Sequence, residues 1–211
     1  AVLSGRLPQQ TDCCAAGDLF VFEPRVGLER EAATRTAKEG GLYSPVHVRL
    51  RRGVSVVVGV SGLPGDFVPP PLLPFGGESR LARLEPVDPP QMPESSPAPS
   101  HVQAVVLLTP ARLLDTEGSG WKVPGPGAPA SALAAGIAGR IDSLCLPRPV
   151  RIGGWDSVLH RPRPLEPYAP AGTVWFLRDA GTTPRSLSIG SRTDFGFGHA
   201  LIGQLPDSST S

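Results

Sequence analysis

The chain has 211 residues, a formal net charge of +1 and 40% hydrophobic residues, which is enough for one sizeable core or two small ones. That balance argues against a protein that coats nucleic acid by bulk charge alone. With no run of about eighteen apolar residues, no membrane-spanning helix is expected. Ala1-Val-Leu-Ser-Gly-Arg6 lacks the basic-then-apolar layout of a signal peptide. The three cysteines, adjacent Cys13 and Cys14 and distant Cys145, make neither a disulfide framework nor a C-x-x-C pair, so a reducing cytoplasmic compartment is expected.

In chain order, Leu19-Phe-Val-Phe22 reads as a first short strand. Val46-His-Val-Arg-Leu50 and Val54-Ser-Val-Val-Val-Gly-Val60 read as two more, joined by a turn at Arg51-Arg-Gly53. The nearly continuous apolar run from Val54 to Val60 predicts a strand buried on both faces. Pro64 to Pro74 is a proline-rich loop, and Arg80 to Leu84 reads as a strand with alternating arginines. Asp88 to Ser100 reads as a flexible Pro/Ser-rich insertion. Val102 to Thr109 carries the clearest strand pattern of the second half. Ala130 to Gly139 is ambiguous, because alanine favours helix while Gly136 and Gly139 oppose it. Thr173 to Arg178 and His199 to Gly203 complete the strands, and 206–211 reads as a disordered tail. The expected organisation is therefore an N-terminal segment at 1–18, a first unit at 19–87, the insertion at 88–100 and a second unit at 101–205. Glycine (25) and proline (26) make about a quarter of the chain, a level that raises disorder elsewhere. Here they are unevenly placed between apolar runs, which points to turns and long loops around a β-rich core.

Chemistry is sparse. His47, His101, His160 and His199 are scattered without metal-ligand spacing, so no metal is expected. Ser61 follows Gly59-Val60, but Leu63 after Gly62 fails the nucleophile elbow. Asp194-Phe-Gly196 echoes a kinase tripeptide with neither an H-R-D motif nor a phosphate loop before it. No cofactor and no catalytic machinery are expected. The cations are more informative: eighteen of the twenty basic residues are arginine. A GC-rich genome would produce that bias, and so would a need for guanidinium forks that bind phosphate and stack on bases. From Arg148 to Arg192 there are seven arginines against three carboxylates, so positive charge is concentrated late in the chain.

Four groups of residues, taken together and in order, resemble a known family. They are Glu23-Pro-Arg-Val-Gly-Leu28 with Thr34-Arg-Thr-Ala-Lys-Glu-Gly-Gly-Leu-Tyr-Ser44; Phe75-Gly-Gly-Glu-Ser-Arg-Leu-Ala-Arg83; Gly153-Gly-Trp-Asp156 with His160-Arg-Pro-Arg-Pro-Leu165 and Pro170-Ala-Gly-Thr-Val-Trp-Phe176; and Asp194-Phe-Gly-Phe-Gly-His199. They are similar to the third subunit of the CRISPR type III-B Cmr complex, part of a prokaryotic antiviral defence system. The resemblance runs from about Phe20 to about Gln204, and the family's opening strand motif is not matched. It implies a RAMP protein of α+β class with ferredoxin-like (RRM-like) units, incomplete at the N-terminus. It further implies a non-catalytic, RNA-binding subunit that holds the 5′ handle of the crRNA. The expected neighbours are the large polymerase-like subunit and the first backbone RAMP subunit, with a complementary N-terminal half as a further expected partner. Two rivals stand beside this reading: a crRNA-processing endonuclease using His160 or His199 as general acid or base, and a scaffold that touches only protein.

The residues of these blocks suit an RNA grip. Gly196 and Gly198 would let backbone N–H groups approach phosphates, with Phe195 and Phe197 stacking on bases and Arg192 pairing with a phosphate. The alternative is a tight turn whose phenylalanines are core. Arg161 and Arg163 alternate with Pro162 and Pro164, so they would project from an extended backbone as a phosphate ladder; a solvated loop is the bland alternative. Trp155 after two glycines would be a stacking platform or a buried ring. Arg80 and Arg35 complete the candidates, against internal salt bridges and a plain surface loop. Gly198→Val is expected to fold normally and to assemble poorly with guide RNA.

Overall fold

The computed structural model describes residues 9–77, 80–88, 102–115, 117–118, 120–156, 158–181 and 186–205. Residues 1–8, most of the expected insertion at 88–100, Glu78 and Ser79, and the expected tail at 206–211 lie outside the described residues. The chain divides into two compact units, one of residues 10–92 and the other of residues 93–211 with 1–9. Regular structure among the described residues is mostly β, and one short helix, α1 (Ala16–Leu19), is the α component.

Within residues 10–92, β1 (Phe20–Pro24) pairs with β4 (Val46–Leu50), β2 (Gly27–Arg30) with β3 (Ala37–Tyr43), and β5 (Leu72–Pro74) with β6 (Leu81–Arg83). All three are antiparallel two-stranded ribbons. Side chains of successive strand residues point to opposite faces, so the register of the first ribbon sorts its chemistry. Phe20↔Leu50, Phe22↔Val48 and Pro24↔Val46 share one apolar face, while Val21↔Arg49 and Glu23↔His47 share the other. On that second face Glu23 pairs with Arg25 at 2.6 Å and Arg49 at 2.7 Å. The guanidinium of Arg25, followed by that of Arg49, holds the Glu23 carboxyl below its ordinary range.

The run from Val54 to Val60 corrects the sequence expectation. It forms no strand, and Val56, Val57, Val58 and Val60 are all exposed. The turn at Arg51 forms, with the Val54 N–H bonded to the Arg51 carbonyl. However, β4 takes β1 as its partner, so no hairpin continues through Val54. An exposed apolar run without a neighbouring ladder leaves its backbone groups to water, and composition alone cannot make it a strand.

Residues 93–211 are built differently. Here β7 (Val102–Leu107), β8 (Arg140–Cys145), β11 (Val174–Arg178), β12 (Ser186–Ser188) and β13 (His199–Gln204) form one antiparallel sheet in the order β12-β13-β7-β11-β8. Because β11 is antiparallel to both β7 and β8, those two run in the same direction with β11 between them. Alternate residues Val105 and Leu107 of β7, Trp175 and Leu177 of β11, and Ala200 and Ile202 of β13 enter the core. The segment from Ala111 to Ile137 supplies Ala111, Leu113, Ala130, Leu133 and Ile137 to the same core. Its ambiguous stretch is a single 3-10 turn at Ala130–Ala132. Gly136 and Gly139 follow at φ of 87° and 97°, and a Cβ on Gly139 would strike the Arg178 carbonyl. Trp175 is fully buried and its indole N–H donates to the Pro124 carbonyl at 2.9 Å, so the ring fills the core with its polar atom satisfied.

Two further strands, β9 (Val150–Asp156) and β10 (Arg161–Tyr168), form a separate antiparallel ribbon in this unit. Among the described residues both of its outer edges are free of ladder partners, which is where prolines such as Pro162 and Pro164 are tolerated.

Candidate nucleic-acid interface

The β9–β10 ribbon carries the densest set of exposed arginines predicted to grip RNA. Its register pairs Arg161 with Asp156, Pro162 with Trp155 and Arg163 with Gly154. Arg161 and Arg163 therefore share one face, and Trp155 with Pro162 the other. A Cβ on Gly154 would make only an ordinary contact with Arg163 Cδ, at 3.9 Å, whereas one on Gly153 would press on Leu165 Cδ2 at 2.9 Å and on the Arg163 carbonyl at 3.2 Å. Trp155 is 58% exposed, which settles the choice between platform and buried ring in favour of an open ring. The arginines and the tryptophan thus lie on two surfaces of one ribbon.

The ribbon's turn is held by Asp156. Its Oδ1 accepts from the N–H groups of Leu159 at 3.0 Å and Val158 at 3.1 Å. Those two bonds, the Leu159 bond foremost, with the charge of Arg163 adding to them, hold the carboxyl below its ordinary range. His160 closes the turn at φ 48°, and Val158 and Leu159 are exposed beside it. His160 is thus a turn residue at the ribbon tip, while His199 opens β13, half-buried, with its backbone N–H on Thr109 Oγ1.

At the ribbon's base the register slips between Arg163 and Glu166, a bulge of the kind that re-aims side chains. Beyond it, Glu166 receives Arg112 at 2.5 Å and Arg192 at 3.0 Å, all three side chains being no more than 39% exposed. Tyr168, fully buried, lies 4.9 Å ring to ring from Phe197. The glycine-rich loop thus sits against the ribbon base. Arg192 starts it in the left-handed region at φ 63°, a 3-10 turn spans Thr193–Phe195, and Gly196 ends that turn at φ 79°.

The two loop glycines differ. Gly198 is buried, and a Cβ there would collide with the carbonyl oxygen of Ile189, whose N–H is in turn bonded to the Gly198 carbonyl. Its absent side chain is a packing requirement of the fold, so Gly198→Val cannot fold normally as the sequence suggested. Gly196 has nothing within 4 Å of a would-be Cβ, and is the glycine that faces open space. Phe195 is 76% exposed, whereas Phe197 packs on Tyr168.

The structure thus gathers Trp155, Arg161, Arg163, Arg192, Phe195, Gly196, Phe197 and Gly198 on the ribbon and the loop at its base. Arg35 and Arg80 belong to the other unit. Arg35 turns the β2–β3 connection at φ 56°, its N–H bonded to the Glu31 carbonyl. Arg80 closes the β5–β6 turn through its carbonyl, which accepts from the Phe75 N–H. Sequence reasoning missed Glu166, Arg112 and Tyr168. Only Glu166 left a signal, as an isolated carboxylate within an arginine-rich stretch. Among the described residues no cluster of metal-ligating side chains occurs and no helix is long and apolar enough to cross a membrane.

A five-stranded antiparallel sheet, with a separate exposed ribbon that carries arginines and a glycine-rich loop at the ribbon's base, defines a β-rich protein. Residues 1–205 match the family described as CRISPR-associated protein (Cas_Cmr3), and the chain belongs to that family of type III-B Cmr-complex subunits. Among curated proteins, none matches the sequence.

Proposed function

We propose that this subunit holds the repeat-derived 5′ handle of the crRNA through the β9–β10 ribbon and the Arg192–Gly198 loop, and does not cut it. The observation that carries this reading is the ribbon itself, which presents Arg161 and Arg163 side by side on one face of a backbone fixed by pairing. Guanidinium groups so mounted lose little entropy on meeting a phosphate, which suits a grip on the sugar–phosphate backbone. Gly196 adds an open backbone position where a phosphate or base can approach. We further infer that the unit of residues 93–211 is a ferredoxin-like RAMP unit. The strand order β13-β7-β11-β8, with β7 and β8 running in the same direction around β11, supports it as a split β-x-β arrangement. In this reading the segment from Ala111 to Ile137 takes the place of the first crossover helix.

The exposed apolar face of the β1–β4 ribbon supports the assembly part of the proposal, in which the subunit bridges the large polymerase-like subunit and the first backbone subunit in the cytoplasm. Three experiments test the reading. RNA that co-purifies with the assembled complex, sequenced from its 5′ end, should begin with the repeat-derived handle. Replacing Arg161 and Arg163 together by alanine should weaken guide binding by roughly 1–3 kcal/mol, and unchanged affinity at physiological salt would remove the ribbon as an RNA site. Guide RNA should stay intact on incubation with the subunit; cleavage lost on changing His160 or His199 would favour a processing enzyme.

A further inference from the structure

The two halves of this surface are tied together by one carboxylate. Glu166 lies just past the bulge in β10, and its oxygens are shared between Arg112, which follows β7, and Arg192, which opens the glycine-rich loop. The same three segments meet through the backbone. Ala111 bridges Ala169 beyond β10, Arg112 bridges Ser191, and a Cβ on Gly190 would strike the Arg112 carbonyl. Arg112 Nη1 also reaches Ser191 Oγ at 3.5 Å, and Arg192 Nη1 reaches Tyr168 Oη at 3.5 Å. With side chains 23%, 25% and 39% exposed, this triad is partly screened from water, where an ion pair holds geometry more firmly than at an open surface. Above it, the ribbon from Val150 to Arg163 has, among the described residues, no sheet neighbour in the ladder to fix its angle.

We propose that Glu166 is a positioning residue: it clamps the ribbon base to the glycine-rich loop, so that Arg161 and Arg163 stand in register with the loop for one RNA strand. The inference rests on the RNA reading of this surface and deepens it. The clamp predicts an effect opposite in sign to a simple charge effect. Glu166→Gln makes the protein more positive, and a field effect alone would tighten RNA binding. A loosened ribbon instead costs phosphate contacts, so affinity falls roughly tenfold and the slope of log affinity against log salt becomes shallower.

The test is a double-mutant cycle on the full chain co-expressed with the other Cmr subunits. Affinity for 5′-labelled guide RNA carrying its repeat-derived end is measured across a salt series. The proteins compared are wild type, E166Q, R161A/R163A and the triple variant, with thermal melting to confirm that each is folded. Because Glu166 acts through the ribbon, E166Q should weaken the wild type roughly tenfold and change R161A/R163A little. R112Q, which opens the clamp from its other side without touching the proposed RNA contacts, takes the place of E166Q if that variant fails to fold. Tighter binding by E166Q, or an effect that adds in full to R161A/R163A, would overturn the clamp while leaving the RNA site standing. A wild-type chain that does not bind the guide RNA overturns both.

Discussion

Residues 10–92 and residues 93–211 are both made of short antiparallel strands, yet they reach opposite ends of burial. Every buried hydrophobic residue among the described ones lies between Ala104 and Ile202. In residues 10–92 the only described residue buried at all is Gly41. Phe22, Val46, Val48, Val58, Val60 and Leu81 there are each more than half exposed. Composition does not separate the two; the number of strands that join does. A five-stranded sheet covered by the Ala111–Ile137 segment has an interior, whereas a two-stranded ribbon has two faces and no third layer, and is marginal in water by itself. The first unit is therefore a set of surfaces in want of cover, and the second a scaffold from which the β9–β10 ribbon extends.

The contrast can be broken at its strongest point first. Trp175→Ala removes a fully buried ring and its bond to Pro124, and should cost about 3–5 kcal/mol in denaturant unfolding. Phe22→Ala, at a site 68% exposed, should cost less than about 1 kcal/mol in the free chain. Equal losses at the two sites would mean that residues 10–92 have a core after all. The same difference should appear in handling. Expressed alone, the chain should be poorly soluble, because the apolar faces and open strand edges of residues 10–92 invite association. Co-expression with the other Cmr subunits should rescue it, and a monodisperse, cooperatively melting chain on its own would contradict the need for cover.

Within the scaffold, the two loop glycines sharpen the comparison between fold and surface. Gly198→Val should lose about 3 kcal/mol of stability, from the collision with Ile189 and from a strained positive φ. Gly196→Val meets open space and carries only the backbone strain, about 1–2 kcal/mol, so it should melt less readily than Gly198→Val while its guide-RNA binding falls. A Gly198 variant as stable as wild type would undo the packing argument.

The smallest effect concerns the ribbon tip. Asp156 has its folded-state pKa lowered by the bonds from Leu159 and Val158. The ionised carboxylate therefore supports the turn above the ordinary aspartate pKa of about 3.9. That support is lost as pH falls through the lower folded value. Amide exchange at Val158 and Leu159, corrected for the intrinsic pH dependence, should lose protection on acidification below that range, while the β7 and β13 amides keep theirs. Asp156→Asn should remove the transition.

Several features were legible in the residues alone. Alternation marked β4, and short continuous apolar runs marked most of β7, β11 and β13. The ordered blocks pointed to the family, which the match over residues 1–205 bears out. The residues did not disclose which apolar runs would find a partner. Val54–Val60 has a stronger strand composition than β5 or β6, yet it stays unpaired because pairing depends on a neighbour remote in sequence. Nor did they disclose the separation of Trp155 from Arg161 and Arg163, which follows from cross-strand register. The two readings of Gly196 and Gly198 are identical in sequence, and only the carbonyl of Ile189 distinguishes them. The convergence of Arg112 and Arg192 on Glu166 joins positions 54 and 26 residues away from that carboxylate. Local sequence encodes propensity and alternation, while contacts between distant segments exist only once the chain is folded.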